Sequence, residues 1–249
     1  MSMSHVEFTK EMKKTHTILV PMMLPIHFQF LRNILCKEGY RVEILKTEGQ
    51  QIIDEGLKNV HNDTCYPALL VIGQMIDALK SGKYDTAHIA LAITQTGGGC
   101  RASNYIHLLR KALVQAGFEH VPVISVNFSQ LEKNSGFKLT PKMLLRLLYA
   151  FLYGDMLMWI KNQCKPYELE KGSTDALVTT WIDTITAQFD SLSYMRMKHN
   201  YQEMLHDFAA LPRSQKPKIQ VGIVGEIYMK YAPLGNNELE DFLIREGCE

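Results

Sequence analysis

Apolar and polar positions along the first 130 residues follow a pattern that predicts strands and helices in turn. Short apolar runs at 17–21, 41–45, 87–93 and 121–126 indicate buried strands. Helical spacing of apolar residues predicts helices between them, over 26–37, 50–58, 67–80 and 104–116. A strand, a helix of about a dozen residues and a second strand normally pair in parallel with a right-handed crossover. The pattern therefore predicts an α/β domain with a parallel sheet over residues 1–130.

The pattern changes after residue 130. Thr140 as a cap and Pro141 at the first helical position predict a helix that runs toward Trp159 and is apolar nearly all round. We expect such a helix to be buried within the protein or at an interface. More polar helices are predicted over 174–211, so that 131–215 forms a helical segment.

The last residues indicate a second βα unit. Residues 218–226 are predicted as a strand that enters a glycine turn, and 237–246 as a helix. Residues 216–249 are thus predicted to begin a second α/β domain. The chain stops where a following strand is expected, which is typical of a truncated domain.

Two loops each carry a cysteine just ahead of a predicted helix. The first is Asn-Asp-Thr-Cys-Tyr-Pro at 62–67, with Cys65, and the second is Thr-Gln-Thr-Gly-Gly-Gly-Cys-Arg-Ala-Ser-Asn-Tyr at 94–105, with Cys100. A glycine triplet lets the backbone approach a bulky ligand, and a helix start favours a thiolate. Ligands of parallel sheets bind beyond the carboxyl ends of the strands. We therefore expect both loops to form one site for a metal cluster or an anion.

Composition narrows the classes of partner. With 27 basic and 26 acidic residues the formal charge is +1, so nothing indicates binding to nucleic acid or to an anionic membrane. No uninterrupted apolar run has the length of a membrane span, and the polar amino terminus lacks a signal core, which predicts a cytoplasmic protein. Five cysteines without a CxxC pair argue against a disulfide framework in that compartment.

The sequence also bears on a dinucleotide site and on other roles for the cysteines. A GxGxxG fingerprint and a phosphate loop ending in GK are both missing, which argues against a dinucleotide site. Buried free cysteines are common, so the residues alone leave metal or redox use of Cys65 and Cys100 open beside simple packing. Cys36 lies on an apolar helix and is interpreted as core. Cys164 and Cys248 have no supporting neighbours.

A family resemblance rests on several of these stretches. Residues 61–68 (HNDTCYPA), 94–105 and 117–123 (GFEHVPV) resemble the 2-hydroxyacyl-CoA dehydratase and activase-related superfamily, closest to its branch of large CoA enzyme activase proteins. Residues 153–155 (YGD), 165–168 (KPYE) and 224–228 (VGEIY) extend the similarity over nearly the whole chain. The resemblance implies flavodoxin-like α/β domains with a 4Fe-4S or related iron-sulfur cluster between them.

The resemblance also implies roles for residues and partners. Cys65 and Cys100 would bind iron as thiolates, and Arg101 would offset the negative charge of the cluster. The pocket would be shaped by Asn62, Tyr66, Gly97, Gly98, Gly99 and Asn104. In the family, an ATP-driven activator supplies the electron, and the dehydratases use it for ketyl radical chemistry on an acyl-CoA.

This chain departs from the family at two points. The family takes a third cysteine from the following domain, and no cysteine here matches it. The DxGST phosphate motif of the activator ATPases is also missing, so the ATPase part is absent.

Two hypotheses follow. One is an iron-sulfur protein or fragment in ATP-coupled low-potential electron transfer or reduction, as a dehydratase-like lyase or reductase component if it is an enzyme, assembled as a homo- or hetero-oligomer. The other is a cluster-free α/β binding or regulatory domain for an anionic ligand such as a phosphate or CoA moiety.

Overall fold

The computed structural model describes residues 6–61, 63–95, 100–126 and 134–249, with the backbone alone described at Arg101. The chain divides into two compact units. One contains Met1–Met23 and Leu35–Leu139, and the other contains Leu24–Ile34 and Thr140–Glu249. A short early segment of the sequence therefore belongs to the second unit, which the sequence pattern did not predict.

The first unit is built on a four-stranded parallel sheet. Its strands are β1 (Thr17–Pro21), β2 (Arg41–Leu45), β3 (Ile89–Thr94) and β4 (Val123–Val126), in the order β2-β1-β3-β4. Ile18 lies opposite Val42 on one side and Ala90 on the other. This order, with helices flanking the sheet, confirms the prediction of a flavodoxin-like α/β fold.

The strands are buried because their apolar runs are continuous. Leu19, Leu91 and Ile124 are fully buried, as expected for parallel strands covered on both faces. β3 begins two residues later than predicted, because Asp85 accepts a hydrogen bond from the Ala87 amide at 3.1 Å and caps a 3-10 turn over Thr86–His88.

In the described ranges, five helices accompany these strands along the chain. They are α1 (Met12–Thr15), α2 (Pro25–Lys37), α3 (Gln50–Asn59), α4 (Tyr66–Lys80) and α5 (Tyr105–Ala116), and a 3-10 turn, Arg101–Asn104, leads directly into α5. α5 ends at Gly117, whose φ of 81° is left-handed and suits glycine, as the sequence predicted. Most of α2 lies in the second unit.

The rest of the second unit is helical. Its helices are α6 (Pro141–Cys164), α7 (Ser173–Gln188), α8 (Met197–Ala209), α9 (Ile227–Tyr231), α10 (Pro233–Asn236) and α11 (Leu239–Arg245). The Thr140 side chain accepts a hydrogen bond from the Met143 amide at 3.2 Å, which confirms the predicted cap of α6. The core of this unit includes Phe30 of α2, Tyr153 and Leu157 of α6, and Phe208 of α8.

The predicted strand over 218–226 is wrong. In the described chain, Ile219 forms a single isolated parallel bridge with Cys248, and the Val221 amide donates to the Glu249 carbonyl at 2.7 Å. The side chains of Ile219 and Val224 are exposed. An apolar run extends as a strand only where a neighbouring strand pairs with it and a layer covers it, and the described residues supply neither beyond this bridge.

The predicted helix at 237–246 is confirmed as α11, which begins two residues late. Asn237 and Glu238 both have left-handed backbone angles, with φ of 55° and 54°, so the helix cannot start before Leu239.

Only one segment of the described chain, residues 141–167, is long and apolar enough to cross a membrane. In its most apolar window 39% is buried inside the protein. Within α6 the buried Arg146 side chain donates a hydrogen bond to the Phe189 carbonyl. One face of α6 is therefore part of a packed core.

Candidate functional site

Cys65 stands at the start of α4. Its extended backbone (φ −61°, ψ 145°) makes it the N-cap residue, and its carbonyl accepts a hydrogen bond from the Ala68 amide at 3.0 Å. The sulfur forms no capping hydrogen bond. Instead it lies 2.9 Å from the Tyr105 hydroxyl oxygen, with the pair partly buried.

Cys100 stands at the start of the 3-10 turn that leads into α5. Its sulfur accepts a hydrogen bond from the Ala102 amide at 3.4 Å, and the residue is exposed. The Ser103 hydroxyl donates to the Cys100 carbonyl at 2.7 Å and closes the turn. Both cysteines thus occupy N-cap positions, Cys65 that of α4 and Cys100 that of the 3-10 turn.

Tyr105 connects the two cysteine loops. It is the first residue of α5, five positions after Cys100, and its hydroxyl reaches Cys65 on the other loop. The contact joins residues that are forty positions apart in the sequence. The structure therefore brings the first loop to the helix that the second loop enters.

The second loop is anchored to the carboxyl ends of two strands by Gln95. Its amide donates to the Val126 carbonyl at 3.1 Å, directly after β3 and β4. The Gln95 side chain donates to the Ser103 carbonyl and accepts from the Ser125 hydroxyl, each at 2.8 Å. This network holds the start of α5, and with it Tyr105, against the sheet edge where ligands of parallel sheets bind.

Sequence reasoning did not assign roles to Gln95, Ser125 or Tyr105. The signal available for Gln95 was its place as a polar residue at the carboxyl end of a predicted strand. Ser125 was part of a predicted strand and gave no sign of its partner. The Tyr105 contact depends on how α4 and α5 pack, which residue spacing does not encode.

The other residues predicted to shape the pocket are either exposed or lie outside the described ranges. Tyr66 is the exposed first residue of α4, and Asn104 is exposed and forms no side-chain hydrogen bond with a described residue. Asn62, Gly97, Gly98 and Gly99 lie outside the described residues, as does the side chain of Arg101. Their predicted roles remain predictions.

The remaining cysteines differ from this pair. Cys164 is buried in the helical core, and burial raises the pKa of its thiol although Arg213 beside it acts in the opposite direction. Cys36 on α2 and Cys248 are half-buried. Cys164 is therefore held as a neutral thiol, which suits packing better than metal binding.

The donor set around Cys65 and Cys100 fits part of an iron-sulfur site. Thiolates are the usual ligands of such clusters, and a 4Fe-4S cluster takes about four of them. Within the described ranges no three His, Cys, Asp or Glu side chains are grouped to hold a metal ion. The two thiols at helix starts are suitable ligands, and the described residues do not complete the set.

The two cysteine loops present a defined set of groups that could bind a ligand. It presents one exposed thiol beside an amide, one partly buried thiol beside a phenol, and two helix starts. Such a surface can bind a soft metal through sulfur or an anion through amides. No protein-family model, no curated protein and no solved structure matches the chain.

Proposed function

We propose that this chain is an iron-sulfur-binding protein, or part of one, that acts in low-potential electron transfer or reduction coupled to ATP hydrolysis by a separate activator. The observation that carries the proposal is the 2.9 Å contact between the Cys65 sulfur and the Tyr105 hydroxyl. This contact links the two cysteine loops, whose thiols are of the kind that bind iron. The sequence resemblance to 2-hydroxyacyl-CoA dehydratases supports the same chemistry.

In this proposal Cys65 and Cys100 each supply one thiolate. The cluster, when bound, supplies one-electron chemistry at low potential. Because a thiolate carries no proton, the Tyr105 hydroxyl would donate the hydrogen bond that joins it to the Cys65 sulfur, and the Ala102 amide donates to the Cys100 sulfur. Hydrogen bonds to ligand sulfurs tune reduction potential, so these two donors set redox poise without binding iron themselves.

The proposed function requires an electron donor, an electron acceptor and a cellular compartment. Electrons come from an ATP-dependent activator protein, because the chain has no phosphate-binding motif of its own. The acceptor is an acyl-CoA or another small molecule, and the protein works in the cytoplasm. The remaining cluster ligands come from residues other than the two named cysteines.

Anaerobic reconstitution with ferrous iron and sulfide tests the proposal. We expect a broad absorbance near about 400 nm, typical of iron-sulfur clusters, and bound iron by metal analysis. Both should be lost in a Cys65→Ser, Cys100→Ser double variant. Cys36→Ser is the matched control, because it removes a half-buried cysteine outside the two loops, and it should keep full iron uptake. Equal iron uptake in the double variant, or none in the wild type, would refute the proposal.

A second candidate is an anion-binding domain without a cluster. It is favoured by the start of α4, where no side chain caps the helix and the Tyr66 amide has no hydrogen-bond partner among the described residues. Calorimetric titration with coenzyme A separates the two. Binding that survives the Cys65→Ser, Cys100→Ser change, in a protein that takes up no iron, would support this candidate.

A further inference from the structure

α6 carries a row of large apolar side chains on the face that points away from its core. We call this set the α6 outer face. It consists of Leu144, Leu145, Leu148, Phe151, Leu152 and Trp159, which are 37 to 57% exposed. The opposite side of the same helix, including Tyr153 and Leu157, is buried. α6 is thus apolar on two sides, and the described residues cover one of them.

The spacing along this face is regular. Leu145, Leu148, Leu152, Asp155 and Trp159 succeed one another at intervals of three and four residues. This is the spacing at which two helices pack along a shared seam. Asp155 is the only charged residue in the row, and its side chain is 68% exposed although it contacts His27 at 2.9 Å.

A lipid bilayer does not suit this face. α6 is held by its other side, where Tyr153 donates a hydrogen bond to the Tyr194 carbonyl at 2.6 Å and Arg146 donates to the Phe189 carbonyl. A spanning helix would have to give up this core and place Arg146 in hydrocarbon, which is costly. The face therefore suits another protein helix.

We propose that the α6 outer face is a homodimer interface, in which α6 packs antiparallel against α6 of a second copy. A second copy presents the same three-and-four spacing, so the two seams are complementary. Six half-exposed side chains leave on the order of 500 Å² of apolar surface, within the size range of the largest apolar patch on a monomer, which is often functional. Two copies together reach about 1,000 Å², the lower bound for a specific interface.

Charge selects the antiparallel direction. A parallel pairing in register would place Asp155 against the same carboxylate of the second copy, and like charges would repel. Lys142 stands thirteen positions before Asp155, and forms no ion pair with a described residue. An antiparallel pairing centred between residues 148 and 149 brings Lys142 level with Asp155 of the second copy, and Leu145 level with Leu152, because helix rise is uniform.

Analytical ultracentrifugation of the full chain over a range of concentrations tests the interface. We expect a monomer–dimer equilibrium whose dissociation constant rises at least about tenfold in Leu148→Glu, because a carboxylate then lies at the centre of the seam. Leu169→Glu is the matched control, since Leu169 is 68% exposed but lies beyond α6, and it should leave the equilibrium unchanged. A wild-type chain that stays monomeric throughout would overturn the proposal, as would Leu148-dependent flotation with phosphatidylcholine and phosphatidylglycerol vesicles.

The direction of pairing has its own test. Asp155→Asn should weaken an antiparallel dimer several-fold by removing the partner of Lys142, whereas it would strengthen a parallel dimer by relieving repulsion. Lys142→Glu should also weaken the antiparallel dimer. Circular dichroism melting of each variant shows whether the fold is retained. A dimer strengthened by Asp155→Asn would overturn the antiparallel arrangement. The outcome is independent of iron binding, so it bears on this interface alone.

Discussion

Both edges of the parallel sheet carry reactive side chains, but these side chains differ in how strongly they contact other residues. At the amino edge, His16 precedes β1 and His88 precedes β3, with ring centres 5.6 Å apart. His16 is buried and its Nδ1 lies 2.9 Å from the Thr15 hydroxyl. The His88 Nδ1 lies 2.6 Å from an Asp85 carboxylate oxygen. Each imidazole therefore has a partner inside the chain.

The carboxyl edge shows the opposite arrangement. Its backbone is firmly held through Gln95, but the thiols that it presents have weak partners. Cys100 is exposed, and among the described residues its sulfur accepts a hydrogen bond from the Ala102 amide at 3.4 Å. The Cys65 sulfur lies 2.9 Å from the Tyr105 hydroxyl oxygen within the same described ranges. The comparison shows that residue type alone does not locate a binding site. The two histidines form hydrogen bonds or ion pairs inside the chain and so stabilise the fold. The two thiols have weaker partners among the described residues and can bind a ligand.

The largest change in the free energy of unfolding should come from disturbing the packing of α4, the helix that begins after Cys65. A Cβ added at Gly73 would overlap the Ile52 carbonyl and the Gly56 amide of α3. Gly73→Ala should therefore force α4 away from α3 and lower the free energy of unfolding by about 3 kcal/mol or more. The helix preference of alanine over glycine, about 1 kcal/mol, offsets this only in part. Urea denaturation followed by circular dichroism measures the change.

Gly222→Ala is the control for that substitution. No atom lies within 4 Å of a Cβ built at Gly222, so the free energy of unfolding should change by less than about 0.5 kcal/mol. If Gly73→Ala left the free energy of unfolding equally unchanged, the close contact between α3 and α4 would not exist in solution, and this packing would not position α4 and the Cys65 at its start.

An intermediate effect should appear at the amino edge in acid. Burial lowers the pKa of His16 below its ordinary value of 6.5, the charge on His88 lowers it further, and Asp85 opposes both. The unfolded chain then binds the proton more readily than the folded one. The stability is complete above about pH 6.5 and falls as the pH drops below it, until the folded His16 also becomes protonated.

The loss should begin as the pH falls below about 6.5, where the unfolded chain starts to bind the proton. Urea unfolding of wild type and His16→Gln, compared between pH 7.5 and pH 5, isolates it, because both proteins share every other titrating group. The variant should show the shallower decline. An identical decline in both would mean that His16 does not titrate in this range, and that its burial has no electrostatic cost.

The parts of the structure that the sequence predicted are those determined by local patterns. Continuous apolar runs predicted all four strands, and Thr140 and Gly117 predicted a helix start and a helix end, because caps act within one turn. The helical spacing that follows each cysteine predicted that Cys65 and Cys100 precede helices, but it did not predict the 3-10 turn that separates Cys100 from α5.

The parts that were not predicted depend on contacts between distant residues. Gln95 reaches Ser125 thirty positions away, and Tyr105 reaches Cys65 across forty. Residues 218–226 have the apolar pattern of a strand and form only a bridge, because a strand is defined by its partner. The apolar pattern of α6 predicted burial within the protein or at an interface but not which face would be covered; among the described residues one face is buried and the other is exposed.

The smallest expected change in the free energy of unfolding concerns the contact between Cys65 and Tyr105. It is also the most direct test of the structure at the carboxyl edge. A double-mutant cycle of Cys65→Ala and Tyr105→Phe should give a favourable coupling of about 0.5–1 kcal/mol in the free energy of unfolding, the usual size of one net hydrogen bond. The same cycle with Tyr66→Phe should give no coupling, because Tyr66 is an exposed tyrosine next to Cys65 in sequence with no contact to its sulfur in the described structure. Coupling with Tyr66 and none with Tyr105 would place the Cys65 thiol elsewhere, and the two cysteine loops would then be joined by something other than this hydrogen bond.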